Sequence, residues 1–187
     1  MEDKKLLRRS FLVRRNSMSP EEIQCYSHQI CNKIIESPRY KKAKKIFVFV
    51  STGTEINTIP LILHGLALGK IIAVPKVFPK EKKMIFSRIK NLGELKKGHF
   101  GILEPSIQWM REENSDIQTL FIIPGLVFDL QKYRIGYGGG YYDTYLETKR
   151  HSAMTIGVAY DFQVIPKLPR EPHDVALDWI ITEKRWI

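Results

Sequence analysis

The order of three segments in the first half of the chain constrains the fold more than any other feature. Ile46 to Val50 is a continuous run of β-branched and aromatic residues and predicts a buried strand. A helix-forming segment from about Thr58 to Leu68 follows, Gly69 ends it, and Ile71 to Val74 predicts a second strand. Two strands joined through a helix favour a right-handed parallel crossover. We therefore predict an α/β fold with a largely parallel sheet that helices cover on both faces.

The rest of the chain extends this pattern without a visible domain boundary. Residues 2 to 16 are charged and helix-prone, and Ser19-Pro20-Glu21-Glu22 combines an N-cap, a first-turn proline and a capping-box acid. Helical spacing of apolar residues then continues until Ser37-Pro38. Further strands are predicted at Met84 to Ile89, Thr119 to Ile123, Thr155 to Tyr160 and Trp179 to Thr182. Since no linker-like segment or internal repeat divides the chain, we predict a single domain over residues 1–187.

The composition indicates one hydrophobic core and restricts the classes of partner. The 187 residues are 43% hydrophobic, and no apolar run approaches the roughly 18 residues of a membrane span. We therefore expect a cytoplasmic protein without a membrane partner. Cys25 and Cys31 suit neither a disulfide nor a metal site. The net charge of +10 implies an anionic partner or simple solvation, and no nucleic-acid motif is recognisable. We expect a monomer that binds small molecules and not nucleic acid.

The segment Gly136-Tyr-Gly-Gly-Gly-Tyr-Tyr-Asp143 has four glycines in its first five positions. Glycine permits positive φ angles, so such a loop can turn backbone N–H groups towards a phosphate. A helix predicted from Tyr141 to Arg150 places the glycines at a helix N-terminus, a natural anion site. Neither the GxGxxG nor the Walker A pattern is present, and a tight strand-to-helix turn would equally explain the glycines. Asp143 favours phosphate binding, because a carboxylate beside a phosphate loop can hold Mg²⁺.

Other candidate residues each have a functional and a simpler structural interpretation. Lys4 and Arg8 are four apart on a predicted helix and could clamp a polyanion, or they could form a solvated face. Glu55 lies in a loop directly after a predicted strand. Residues at such positions often contact ligands, but a loop acid can also be simply exposed to solvent. Asp174 follows a proline-bracketed loop and is a candidate second metal carboxylate or part of an ordinary turn. Trp109 could stack on a planar ring or belong to the core.

Several short motifs follow one another in order along nearly the whole chain. They are Lys4-Lys-Leu-Leu-Arg8, Glu55-Ile-Asn-Thr58, Gly101-Ile-Leu-Glu-Pro105, Pro124-Gly-Leu-Val-Phe-Asp129, Arg134-Ile-Gly-Tyr-Gly-Gly-Gly-Tyr-Tyr-Asp143, Gln163, His173-Asp174 and Ile181-Thr-Glu183. In this order they resemble the 5-formyltetrahydrofolate cyclo-ligases, also called methenyltetrahydrofolate synthetases. Any one motif is weak evidence, but their common register is strong. One departure is Asn57, where many relatives have Asp.

The resemblance implies an ATP- and Mg²⁺-dependent closure of 5-formyltetrahydrofolate to 5,10-methenyltetrahydrofolate, with release of ADP and phosphate. It also implies roles for individual residues. The ATP-binding residues would be Lys4, Arg8, Arg134, Gly136, Tyr137, Gly138, Gly139, Gly140, Tyr141 and Tyr142. The folate-binding residues would be Val50, Glu55, Trp109 and Tyr141. Asp143 and Asp174 would hold the metal ion, and Arg134 and Tyr141 would be catalytic, with Tyr141 against the reacting formyl group.

The chemistry implied by the resemblance agrees with the residue types. A formyl oxygen is a poor leaving group until a phosphoryl group is transferred to it, and phosphoryl transfer needs positioning and charge stabilisation more than a protein nucleophile. The basic surplus suits ATP and a folate that bears a polyglutamate tail, because both are polyanions. Two alternatives remain open. One is an RNA- or nucleotide-binding module, and the other is an α/β enzyme that acts on phosphorylated sugars or thioesters without ATP.

Overall fold

The computed structural model describes residues 2–98, 101–149 and 153–187. The helices are α1 (Glu2–Asn16), α2 (Pro20–Glu36), α3 (Pro38–Lys42), α4 (Ile59–Ala67) and α5 (Tyr141–Lys149). The strands are β1 (Lys45–Val48), β2 (Ile71–Phe78), β3 (Lys83–Ile89), β4 (Leu95–Lys97), β5 (Leu103–Pro105), β6 (Thr119–Ile123), β7 (Val127–Asp129), β8 (Arg134–Ile135), β9 (Met154–Val158), β10 (Val164–Ile165) and β11 (Trp179–Ile181).

Six strands form the central sheet, in the order β11-β9-β6-β1-β2-β3. The five strands from β11 to β2 are parallel to their neighbours, and β3 pairs antiparallel to β2 at one edge. Strands β1 and β6 are buried almost throughout, as expected for parallel strands covered on both faces. The predicted α/β class with a largely parallel sheet is therefore confirmed.

Helices pack on the two faces of this sheet through separate apolar clusters. On one face, Ile34 of α2 and Leu61 of α4 pack against Ile46 of β1. Side chains alternate between the two faces of a strand, so Val48 of β1 joins the same cluster. On the opposite face, Leu146 of α5 packs in a cluster that contains Phe121. In that cluster the rings of Phe47, Phe86 and Phe121 contact one another, with centroids 4.8–5.5 Å apart.

A three-stranded sheet, β10-β7-β8, lies beside the main sheet and supports α1. Leu7 and Phe11 of α1 pack against buried residues of this sheet and its flanks, among them Val127, Ile135 and Leu168. Because these apolar residues fix one face of the helix, Lys4 and Arg8 lie towards the loops that follow the strands. The small sheet thus determines where the basic residues of α1 lie.

Most predicted elements form where the sequence indicates. The capping box of α2 is complete, since Ser19 Oγ accepts from Glu22 N at 3.1 Å and Ser19 N donates to the Glu22 carboxylate at 2.9 Å. Thr58 and Leu68 cap α4 as its flanking residues. The predicted end of the last helix at Arg150 lies outside the described residues. Within the part of the chain that is described, no helix is long and apolar enough to cross a membrane.

Two features of the sheets differ from the sequence-based expectation. Strand β2 continues to Phe78, four residues beyond the predicted end at Val74, because it forms a long hairpin with β3. The strands β4, β5, β7, β8 and β10 were not predicted, and each has only two or three residues. Such short runs carry too little periodicity to be recognised in a sequence.

Candidate active site

A cleft opens beyond the carboxyl ends of β1, β6 and β9, the edge at which open α/β sheets bind ligands. Its lining combines apolar side chains from the strand exits with three polar ones: Arg15, Phe49, Glu55, Ile56, Pro124, Gly125, Val158 and Gln163. Val50, directly after Phe49, is buried in the apolar cluster that contains Ile46 and Leu61. The cleft therefore combines apolar walls with charged and polar groups, as many small-molecule sites do.

Glu55 is a buried carboxylate in this cleft and is held by two donors. Its Oε2 accepts a hydrogen bond from Thr52 N at 2.9 Å, and its Oε1 accepts from the Tyr137 hydroxyl. Burial raises the pKa of Tyr137, and the charge of Glu55 raises it further, so the phenol stays protonated as the donor. The contact joins the loop after β1 to the glycine loop, two segments that are 82 positions apart in the sequence.

The glycine loop, residues 136–140, adopts a conformation that side chains would hinder. Gly138 and Gly140 have φ angles of 104° and 70°, a region that favours glycine. A Cβ atom on Gly139 would lie 2.8 Å from the Tyr141 ring. The carbonyl of Gly140 accepts from Thr144 N at 3.0 Å and begins α5, so the first-turn N–H groups of that helix have no intrahelical partner. The loop therefore presents a helix N-terminus, to which anions bind well.

The basic residues predicted on α1 meet the glycine loop and the segment before β11. Arg8 Nε donates to the carbonyl of Gly136 at 2.9 Å. Lys4 Nζ lies 2.7 Å from Asp174 Oδ2 and 3.0 Å from Glu171 Oε2. Burial lowers the pKa of Lys4, but its hydrogen bonds to the two carboxylates outweigh that effect and the pKa is raised. Lys4 is thus a charged group, largely withdrawn from solvent.

Arg134 and Asp143 form a second ion pair next to the first. Arg134 Nη2 lies 3.2 Å from Asp143 Oδ1, and Arg134 Nη1 donates to the carbonyl of Val175 at 3.4 Å. Asp143 Oδ1 also accepts from Val175 N at 3.5 Å, so this carboxylate lies beside the residue that follows Asp174. Burial lowers the pKa of Arg134, while the charge of Asp143 opposes that shift. Two carboxylates and two cations therefore lie together at the start of α5.

Tyr142 carries a buried hydroxyl that no described group bonds. Its ring centroid lies 6.0 Å from the Arg134 guanidinium carbon. Burial raises the pKa of Tyr142, and the charge of Glu55 adds to the rise. A buried phenol without a partner is costly to maintain, so this hydroxyl is available as a donor to a bound molecule.

Trp109 is not brought together with the other candidates. It lies in a short 3-10 turn, and the residue is 44% exposed. The described ring contact is with the guanidinium of Arg111, at 5.7 Å. Arg111 is bound to Glu94 and to the backbone of Arg88 on β3. The structure therefore places Trp109 beside the edge strand of the sheet.

Two buried polar residues with structural roles were not identified as such from the sequence. Asp129, fully buried at the end of β7, accepts from the backbone N–H groups of Gln131, Tyr133 and Leu168 and from Arg170. It thereby anchors the proline-bracketed loop that leads to Asp174. The sequence did contain a signal for Asp129, because this acid directly ends an apolar run. The other residue is Arg15, which is buried. Nothing in the sequence distinguishes it from the neighbouring basic residues.

The fold and this arrangement define an α/β protein in which a cleft lies beside a cluster of charged residues, and comparison with known proteins identifies its family. The model of the 5-formyltetrahydrofolate cyclo-ligase family matches residues 1–183. A 5-formyltetrahydrofolate cyclo-ligase of Mus musculus is 31% identical over 189 residues, with 96% of this chain and 93% of the relative covered. The chain belongs to the 5-formyltetrahydrofolate cyclo-ligase family and is accordingly an enzyme of the ligase class.

Solved structures agree with this assignment. The NMR structure of the Aquifex aeolicus 5,10-methenyltetrahydrofolate synthetase is 33% identical and has a TM-score of 0.85, with 98% of this chain and 91% of that chain covered. A 5,10-methenyltetrahydrofolate synthetase from Mycoplasma pneumoniae is 25% identical and has a TM-score of 0.78, with 97% and 99% covered. The family resemblance predicted from the motifs is thus confirmed over nearly the whole chain.

Proposed function

We propose that residues 1–187 act as one catalytic unit that closes 5-formyltetrahydrofolate to 5,10-methenyltetrahydrofolate, consuming ATP and requiring Mg²⁺. One observation carries the proposal: the Lys4–Asp174 and Arg134–Asp143 pairs lie at the N-terminus of α5, whose glycine loop also contacts Glu55 of the cleft through Tyr137. A polyanion site and an apolar slot for a ring are therefore joined by one loop. Joining a phosphoryl donor to a ring acceptor requires such an arrangement.

In this proposal, ATP binds along the glycine loop. Backbone N–H groups of the loop and of the first turn of α5 would donate hydrogen bonds to phosphate oxygens. Arg8, already bonded to the Gly136 carbonyl, would reach the same phosphates as a fork, and Lys4 and Arg134 would neutralise their charge. The buried hydroxyl of Tyr142 is a further donor in this region.

Asp143 and Asp174 have the chemistry of magnesium ligands. Both are carboxylates, and Mg²⁺ is usually held by one or two carboxylates together with phosphate oxygens. Asp143 accepts from the N–H of Val175, the residue after Asp174, so the two carboxylates belong to neighbouring segments, and Arg134 and Lys4 compensate their charge. When bound, the ion would supply charge neutralisation for the transferred phosphoryl group.

The folate ring would occupy the cleft. Glu55, whose two oxygens are fixed by Thr52 and Tyr137, can accept N–H groups from the edge of the ring system. Val50, buried next to the lining residue Phe49, would support the floor of the cleft from beneath, and Tyr141, the first residue of α5, would contact the formyl group. Trp109 would take part only if the segment around it bent towards the cleft.

The proposed reaction has two steps. The formyl oxygen attacks the γ-phosphorus of ATP, the bond to the β-phosphate oxygen breaks, and ADP leaves. Nitrogen 10 of the folate then attacks the activated formyl carbon and gives up its proton, and phosphate departs with the former formyl oxygen and takes up that proton. Lys4, Arg8 and Arg134 stabilise negative charge that spreads over the phosphoryl oxygens. No Ser-His or Cys-His pair is required, because the protein aligns two reactive substrates.

The experiment mixes purified protein with 5-formyltetrahydrofolate, Mg²⁺ and ATP and follows the near-ultraviolet absorbance of the methenyl product. Matched samples omit ATP or replace it with a non-hydrolysable analogue. We expect the product band to grow only with ATP. A folded protein that produces no band would contradict the proposal and would favour a nucleotide- or RNA-binding module.

A further inference from the structure

Arg15 lies in the last turn of α1 and lines the cleft, although it belongs to none of the motifs of the site. Only 5% of its surface is exposed. Its Nε donates to Oγ1 of Thr54 at 3.2 Å. Thr54 is the residue directly before Glu55. Its guanidinium carbon lies 5.6 Å from the centroid of the Tyr137 ring, whose hydroxyl donates to Glu55. Arg15 is therefore held beside the Glu55–Tyr137 pair.

The charge of Arg15 is unusual among the buried cations of this site. Lys4 and Arg134 each pair with a carboxylate, whereas Arg15 forms no ion pair with any carboxylate in the described ranges 2–98, 101–149 and 153–187. A guanidinium carries five N–H donors. Nε donates to Thr54 and a second hydrogen bond engages the Tyr137 hydroxyl, so the other N–H groups can serve an acceptor in the cleft that Arg15 lines.

The other polar groups of the cleft show which ring edge would fit. Glu55 offers carboxylate oxygens, and Gln163 is already occupied, since its amide donates to the carbonyl of Leu126 at 2.9 Å and accepts from Tyr160 N at 2.8 Å. One wall therefore presents an acceptor, Glu55, next to a donor, Arg15. An aminopyrimidinone ring presents the complement, because its amino and ring N–H donors stand beside an exocyclic oxo acceptor.

We propose that Arg15 is a specificity-determining residue that donates to the ring oxo group of the folate, next to the N–H groups accepted by Glu55. This inference rests on the proposed function, because it assumes that the folate ring occupies the cleft. A site with a buried donor for an oxo group binds an analogue without that oxygen poorly, since the donor then stays unpaired.

The test measures binding of two ligands to the full chain: 5-formyltetrahydrofolate and an analogue in which an amino group replaces the ring oxo group. We compare wild type with Arg15→Met, which keeps the apolar stem. The matched control is Arg14→Met, because Arg14 is the adjacent arginine of α1 and stacks on Phe162 instead. Binding of an ATP analogue, in the same samples, monitors the rest of the site.

In wild type and Arg14→Met we expect the oxo ligand to bind about 10- to 100-fold more tightly than the amino analogue. In Arg15→Met the oxo ligand should weaken by that factor and the amino analogue by less than about 3-fold, so that the preference collapses. ATP-analogue binding should stay within about 2-fold of wild type. An equal loss for both folates in Arg15→Met would overturn the inference and leave Arg15 as a support for Tyr137.

Arg15→Lys provides a second variant in case the methionine variant does not fold. Lysine keeps the charge but loses the fork and its Thr54 contact, so a reduced preference for the oxo ligand is expected, and an unchanged one counts against the inference. The outcomes also separate the two proposals. A wild-type protein that cyclises the substrate while Arg15 variants keep the ligand preference would refute the role of Arg15 alone. A wild type that binds no folate would refute both.

Discussion

The Nζ atom of Lys4 lies 2.7 Å from Oδ2 of Asp174, a residue 170 positions further along the chain. This contact joins the first turn of α1 to the loop before β11, and it places a cation and a proposed metal ligand within one hydrogen bond. Arg134 and Asp143 form a second pair of a cation and a proposed metal ligand. Each proposed metal carboxylate therefore has a cation as its partner.

Replacement of Asp143 by Asn tests the proposed metal ligand. The substitution keeps the shape of the side chain but removes the charge next to Arg134. We expect turnover to fall at least about 100-fold, as when one electrostatic contribution to a transition state is removed, with little change in the melting temperature. Glu147→Gln, an exposed charge loss on the same helix, is the control and should keep near-normal turnover. Equal activity in both variants would refute the assignment of Asp143.

The glycine loop offers a steric test within five residues. An added methyl group on Gly139 would lie 2.8 Å from the Tyr141 ring, whereas one on Gly136 meets no atom within 4 Å. Gly139→Ala should therefore displace the loop and weaken ATP-analogue binding by about 10-fold or more. Gly136→Ala should change it much less. Isothermal titration with the analogue compares the two, and similar affinities would contradict the proposed loop geometry.

The Tyr137 hydroxyl should contribute to folate binding through Glu55. Tyr137→Phe leaves the ring but removes the donor to Glu55 Oε1, so that a buried carboxylate oxygen loses a partner. We expect folate binding to weaken by about 10-fold, which corresponds to about 1.4 kcal/mol. ATP-analogue binding measured in parallel should stay unchanged. A loss confined to ATP would show that Tyr137 serves the phosphate site instead.

Glu94 gives the fold a predictable acid sensitivity away from the site. Arg111 binds both its carboxylate oxygens, at 2.8 and 2.9 Å, and this hydrogen bonding lowers the pKa of Glu94, although burial opposes the shift. A carboxyl group with a lowered folded-state pKa contributes stability above its unfolded pKa of about 4.3, and the contribution is lost as the pH falls. The free energy of unfolding should therefore decline less between about pH 5 and 3 in Glu94→Gln than in wild type. Parallel profiles would contradict the account.

Strands and helices with strong periodicity could be predicted from the sequence. The five residues of β6 are all buried and were predicted at their observed bounds, Thr119 to Ile123. The direction of β3 was not predicted, yet a signal was present. The predicted bounds, Val74 and Met84, leave nine residues between the two strands. That interval is shorter than the dozen or more residues of a parallel crossover and favours a hairpin.

The candidate site was predictable where its chemistry lies in local motifs. Four glycines followed by an acid identify the loop and Asp143, and the predicted roles of these residues stay predictions until they are tested. Arg15 could not be found in this way, because its sequence context is the same as that of the exposed Arg14. Its burial depends on where the end of α1 meets the loop at Thr54, which is a tertiary contact between distant segments.

The central claim is that the site transfers the γ-phosphoryl group of ATP to the formyl oxygen of the folate. The most direct measurement uses 5-formyltetrahydrofolate with a heavy-oxygen label in the formyl group and follows the label into released phosphate by mass spectrometry. The account predicts one labelled oxygen in each phosphate formed with the methenyl product. Unlabelled phosphate accompanying product formation would show that the formyl oxygen is not phosphorylated and would contradict the claim.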